Sequence, residues 1–237
     1  MILSASATGL GAWFSKYYDT IVGSGYYTLL IDGLKNTVKI TIGALVIGIV
    51  IGTLIAAIKY FAEDMPALRP IAFVCDLYVT IVRGIPVVVL LLVFYYIIMI
   101  SADGIPVGIV TFGINSGAYM AELIRSGINA VDRGQMEAGR SLGMNKLQAM
   151  RIVVLPQAIR YILPAIGNEL IALLKETAVA GYVAVTDLTR AGNLIRNNTY
   201  DAINPLLTVA ITYLIMVIIL TQILGAVERR LSKSDKR

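Results

Sequence analysis

The sequence predicts an all-α integral membrane protein with about five membrane-spanning helices. Stretches free of Asp, Glu, Lys and Arg recur at spanning length: residues 40–58, 84–102, 104–121 and 202–227. A bilayer core about 30 Å thick needs about 20 apolar residues of helix, so each run suits a crossing. Composition agrees, because 57% of residues are hydrophobic and only 15% charged, with a mean hydropathy of +0.78. That lies outside the range of soluble globular domains. The runs are unbroken rather than alternating, which favours helices over the strands of a closed barrel.

Residues 1–28 hold Trp13, Tyr17, Tyr18, Tyr26 and Tyr27, and amphipathic rings of this kind favour the headgroup level. The reading is an interfacial segment. Met1 to Phe14 lacks a basic stretch, so no cleaved signal peptide is expected. A transmembrane domain is placed over 29–231, with spans at about 30–58, 70–100, 105–128, 152–175 and 205–227. In the first span Gly33, Gly43, Gly48 and Gly52 lie roughly on one stripe, which permits close helix approach. The linker 59–69 reads as a short aqueous loop in which Glu63 and Asp64 are solvated. In the second span Pro86, preceded by Gly84, kinks the helix or begins a new one. Residues 101–104 form a tight acidic turn. The third span carries Glu122 and Arg125 at i, i+3, spaced to pair along one face. The fourth is the most polar, with Arg160, Pro164, Asn168, Glu169 and Lys175, and so is expected to be central and to line a cavity or interface. Residues 176–204 are polar, and part of them is expected to re-enter as a short helix. A basic tail closes the chain at 232–237.

The loop 132–151 is the most polar interruption. Gln135 to Ala138 favour helix, Gly143 reads as a helix stop or a close backbone approach, and a second amphipathic segment runs from Lys146 to Val154. Lys and Arg number two in 59–69, five in 125–151 and five in 229–237, against none in 101–104 and two in 176–204. An outside N-terminus and an inside C-terminus put all three rich segments in the cytoplasm. Positive-inside topology also accounts for the net charge of +5 without nucleic acid as a partner.

No catalytic constellation is present. The chain has no His and one Cys, which removes His-based metal and acid–base centres and any internal disulfide. A phosphate-binding G-x-x-x-x-G-K-[ST] sequence is absent, so ATP hydrolysis is not expected of this chain. The polar residues placed within spans are Arg83, Asn168, Glu169 and Lys175, and ionisable groups there face a partner or a wet cavity. Glu169 lies 13 residues beyond Pro156, roughly 20 Å along a helix and so past the midplane of the core. Two readings stand for it: an anion offered to a substrate ammonium or guanidinium, or an interhelix pair with Arg83 or Lys175.

The run Glu137-Ala138-Gly139, then Gly143 and Leu155-Pro156, resembles the EAA loop of ABC-importer permeases, with Gly139 for the third Ala and Val153 for an Ile. Arg83-Gly84-Ile85-Pro86 is similar to the Arg-Gly-Thr-Pro box of the polar amino-acid branch (histidine, glutamine and arginine type). Residues 116–193 follow that branch closely, although Glu176 and Ala178 depart from its Lys-Asp-Thr-Ser stretch near the outer gate. The resemblance implies a type I ABC-importer permease fold in a bacterial plasma membrane. It implies that Glu137, Ala138, Gly139 and Gly143 seat in an ATPase subunit; Arg140 and Lys146 either add charge pairs there or are simply cytoplasmic-side cations. ATP-Mg would sit on that separate subunit, with no cofactor in this chain. Implied partners are two ATPase copies, a second permease chain in a homodimer or heterodimer, an external amino-acid-binding protein, and membrane lipid. A permease for methionine or peptides, or an ion-coupled secondary transporter, are the rival readings.

Overall fold

The computed structural model describes residues 9–233; residues 1–8 of the interfacial segment and 234–237 of the basic tail lie outside them. Among the described residues ten α-helices follow in order: α1 Gly9–Tyr18, α2 Tyr27–Ala62, α3 Arg69–Gly84, α4 Val87–Val93, α5 Gly104–Asn129, α6 Arg133–Ser141, α7 Lys146–Ala149, α8 Leu155–Glu176, α9 Leu188–Thr199 and α10 Ile203–Lys233. Four stretches are long and apolar enough to cross a membrane unaided: α2, α5, α8 with its flanking turns, and α10. The fifth crossing is broken. Residues 70–100 read as one span in sequence, but the two pieces Pro66–Gly84 and Val87–Ile98 meet at 106°. Ile85 precedes a proline and is extended, with φ −102° and ψ 130°, because the following ring disfavours the helical region there. Pro86 then starts α4, its carbonyl accepting from the backbone N–H of Val89 (2.9 Å) and Leu90 (3.1 Å).

The centre of the bundle is α5, not the polar fourth span that the sequence puts there. In the apolar window of α5, 67% of residues are buried, against 28% for the α8 segment and 6% for α10. Side-chain size explains this. Gly113 and Gly117 of α5 face Ile47 and Ile51 of α2, while Gly43, Gly48 and Gly52 of α2 face Ile109, Ser116 and Met120 of α5. Each helix presents glycine where its neighbour presents bulk, so the backbones approach closely, as small residues allow between membrane helices. The fourth glycine of the α2 stripe, Gly33, packs on a different neighbour, the Asp187 carbonyl that opens α9.

A Cβ at Gly52 would collide with Met120 Cβ and lie 2.8 Å from the Ala121 nitrogen, a backbone atom that cannot swing aside. Gly52→Val is therefore expected to cost about 1–3 kcal/mol, as overpacking does. The purified protein in detergent should melt several degrees lower, at about 2–4 °C per kcal/mol for a chain of this size. Gly84→Ala, where nothing lies within 4 Å of a new Cβ, should leave the melting temperature near wild type.

The two ends of the bundle are built differently. At one, α9 is the short helix expected within 176–204. Buried Asp187 caps it, accepting from the N–H groups of Thr189 (3.0 Å) and Arg190 (3.2 Å). Leu188 N donates to Thr37 Oγ1 (3.1 Å) and Asn36 Nδ2 to the Thr186 carbonyl (2.9 Å), pinning α9 to α2. Lys16 of α1 pairs with Asp201 at 3.3 Å beside the start of α10. Burial pushes the Asp201 carboxyl up, but donors from Asn204, Ile203 and Lys16 outweigh it and hold it below the usual range.

At the other end Lys59 of α2 bridges Asp76 of α3 (2.5 Å) and Glu122 of α5 (3.7 Å), and Arg125 pairs with Glu122 at 3.1 Å, as its spacing foretold. Asp64 is not merely solvated. It accepts from Lys146 Nζ, and the same ammonium sits 4.7 Å over the Tyr60 ring. Lys146 thus ties the polar loop to the end of α2.

Candidate functional site

Two sites carry the sequence-predicted residues. The first is the loop formed by α6 and α7. Asp132 caps α6 by accepting from Gly134 N at 2.6 Å, which satisfies one of the free donors of a helix start. The helix ends in a tight reversal: Gly143 N donates to the Arg140 carbonyl (3.0 Å) and Met144 N to the Gly139 carbonyl (3.2 Å). That pair of bonds is the Schellman arrangement, which needs a left-handed residue just past the helix. Gly143 supplies it at φ +86°. Asn145 and Gln148 then form a reciprocal capping box that starts α7, with both bonds at 2.9 Å. The result is a hairpin of two short helices at the end of the bundle, with Met136 and Met150 packed on the cluster that holds Ala56, Ile124 and Ile162.

The hairpin sorts the predicted contact residues into two sets. Glu137, Ala138, Arg140 and Gly143 are exposed, and so is Leu142, at 81%. Gly139 is buried, and a Cβ there would lie 3.1 Å from that of Ala149. Its small size serves the packing of α6 on α7 and not an outer surface. Leu142 was passed over in the sequence. Its large apolar side chain stands among polar neighbours at the turn of the loop.

The second site lies halfway along α5. Ser116 Oγ donates to Glu169 Oε1 at 2.9 Å, and Asn115 Nδ2 to Glu176 Oε2 at 3.4 Å. Glu169 and Glu176 are seven residues apart, two turns along one face of α8, yet they are held by consecutive residues of α5. Their carboxyl groups converge. Neither makes an ion pair among the described residues, so the pairing of Glu169 with Arg83 or Lys175 weighed in the sequence does not form. Arg83 instead stands 5.0 Å over the ring of Tyr119, one turn along α5 from Ser116. Asn168 and Lys175 are exposed next to the two glutamates. Glu176, Asn115 and Ser116 were missed as site residues, although the i, i+7 spacing of two carboxylates in one span is visible in the sequence.

The chain matches known proteins over nearly all of its length. A family model described as "Binding-protein-dependent transport system inner membrane component" covers residues 48–233. An arginine transport system permease protein, ArtQ, of Bacillus subtilis is 35% identical over 210 residues, covering 87% of this chain and 94% of the relative. A putative glutamine transport system permease protein, GlnP, of Rickettsia prowazekii is 36% identical over 220 residues, covering 91% and 96%. Among solved structures, one titled as an amino acid ABC transporter with histidines superposes with a TM-score of 0.82 at 40% identity, covering 90% of this chain and 98% of the other. The MetNI methionine transporter in an inward-facing form shares the fold, with a TM-score of 0.76 at 24% identity.

Proposed function

Because the chain belongs to the family of binding-protein-dependent transport system inner membrane components, we propose that it is the membrane-spanning subunit of an ATP-driven importer of polar amino acids, with a preference for cationic ones. The observation that carries the substrate class is the converging pair Glu169 and Glu176, held only by neutral Ser116 and Asn115. Two carboxylates at mid-span that make no ion pair among the described residues are costly, and an ammonium or guanidinium passing between them offsets that cost. Relatives named for arginine, glutamine and cystine support polar amino acids as the wider class. In this reading Glu169, Asn168, Arg83 and Lys175 border the path, joined by Glu176.

The exposed tip of the α6–α7 hairpin, with Glu137, Ala138, Arg140, Leu142 and Gly143, seats in a separate ATPase subunit, while Gly139 shapes the hairpin from within. ATP with its Mg²⁺ is bound and hydrolysed on that partner. The cation-rich segments 59–69 and 125–151 lie at the hairpin end, and α10 runs from the Asp201 end toward it. This supports a cytoplasmic hairpin and C-terminus, with the N-terminus outside. Five crossings leave α8 and α10 broadly uncovered, so two permease chains pair, each with one ATPase copy. An external amino-acid-binding protein delivers substrate at the α9 end. Closure of the ATPases draws the two hairpins together and switches access to the path.

The test is reconstitution of the chain with an ATPase subunit and an amino-acid-binding protein from the same organism. Uptake of labelled arginine or lysine into ATP-loaded proteoliposomes is the expected result. Uptake that persists without ATP on an ion gradient overturns the reading, and so does uptake confined to methionine or peptides.

A further inference from the structure

We propose that the cleft between the α6–α7 hairpin and the bundle is a second binding site, for the zwitterion of a free amino acid with an apolar side chain. Its occupant staples the hairpin to the bundle. The cleft has a volume of about 540 Å³, within the range of about 300–1,000 Å³ that small-molecule sites span. One wall belongs to the bundle: Tyr60 and Glu63 at the end of α2, and Ile128 near the end of α5. The other belongs to the hairpin: Arg133 and Met136 of α6, and Met150 just past α7. None of the residues that border the path at mid-span lines it.

The lining carries both signs of charge, and one group of each sign is left over. Lys146 is engaged by Asp64, and Asp132 caps α6 through Gly134 N. Glu63 and Arg133, on opposite walls, make no hydrogen bond or ion pair among the described residues, not even with each other; Glu63 acts on Lys146 only from beyond ion-pair distance. The Tyr60 hydroxyl is buried and likewise has no hydrogen-bond partner, which costs free energy until a ligand supplies one. A singly charged molecule answers one wall and leaves the other unpaired. A zwitterion answers both, its ammonium at Glu63 and its carboxylate at the fork of Arg133. Ile128, Met136 and Met150 offer the apolar bed for its side chain, and methionine adapts to varied shapes. Because the two charges stand on different walls, the bound molecule links hairpin to bundle. That link spans Met150–Val154, a π-helical turn joining α7 to α8, and such turns gather at functional sites. The hairpin moves when the ATPases close, so an occupied cleft opposes transport. This consequence rests on the importer reading above; the site itself does not.

The experiment is direct binding of L-leucine, isoamylamine (leucine without its carboxylate) and isocaproate (leucine without its ammonium) to the purified permease–ATPase complex in detergent. Wild type is expected to bind leucine at least about tenfold more tightly than either analogue, the scale of one charge-assisted contact. Arg133→Gln should lose about that factor for leucine and leave isoamylamine unchanged. Glu63→Gln should lose as much for leucine and leave isocaproate unchanged. Co-purification of the ATPase, and uptake without leucine, should match wild type in both variants. Leucine enclosed with ATP in proteoliposomes should lower uptake by wild type and not by Arg133→Gln. Wild type that binds none of the three, variants that bind leucine at wild-type strength, or an analogue that binds as tightly as leucine overturns the site. Loss of ATPase co-purification in the two variants overturns it too, because the cleft then seats a segment of the ATPase. Leucine binding without any effect on uptake overturns the staple. Absence of ATP-driven uptake with leucine binding intact overturns the importer reading alone.

Discussion

Gly143→Val is expected to lower ATP-driven uptake at least about tenfold while the spans stay folded. At φ +86° a β-branched residue clashes with its own backbone, which costs about 1–2 kcal/mol for an L-residue in the left-handed region and more for a branched one. Nothing lies within 4 Å of a Cβ built there, so the penalty is conformational and not one of packing. Relieving it means giving up the reversal that binds Met144 N to the Gly139 carbonyl, and with it the placement of Leu142 at the tip. Because no other residue packs against position 143, the loss is taken up within the turn, and the melting temperature should fall less than in Gly52→Val. Uptake, and assembly with the ATPase measured by co-purification, should fall together. Gly143→Asn separates conformation from contact, because Asn enters the left-handed region readily; it should keep most activity. If Val and Asn behave alike, or if Val transports at the wild-type rate, the hairpin does not transmit the ATPase movement through this tip.

The spans were legible in the sequence because hydropathy and length are local properties. So was the end of α6, where one glycine at the right place sufficed. The order of burial was not. Span 152–175 looks central because it carries charge, but the interior of this bundle selects for small residues. Gly108, Gly113, Ser116 and Gly117 mark α5 as the inner helix more faithfully than the polarity of α8 does. Pro86 announced a break; its 106° angle depends on what α3 and α4 pack against. Lys146 illustrates the other limit. Sequence leaves it either a charge partner or a plain cytoplasmic-side cation, and its partner Asp64 lies 82 positions earlier in the chain, a pairing that only the return of the hairpin to α2 creates. Gly139 was read as outward because its neighbours in the motif are outward. Burial against Ala149 follows from the reversal at Gly143, which the sequence indicated without giving its direction.

Glu169→Gln should suppress uptake of arginine and lysine by at least about tenfold and spare glutamine. The substitution keeps size, and its amide oxygen can still accept from Ser116 Oγ, so the 2.9 Å contact between α5 and α8 is retained. What is lost is charge, which in a site shielded from water is worth more than the same charge at a surface. Glu176 remains, held by Asn115, so a single substitution halves the negative pole. Glu169→Gln combined with Glu176→Gln should then remove cationic transport altogether. A neutral amide substrate makes the opposite prediction, since two side-chain amides offer it donors as well as acceptors; relative preference for glutamine should rise. Ser116→Ala provides the structural control. It removes the hydrogen bond and leaves the carboxylate, so a loss caused by slackened α5–α8 packing would appear there for all substrates alike. Arginine uptake unchanged in the double variant would assign both carboxylates to helix packing alone.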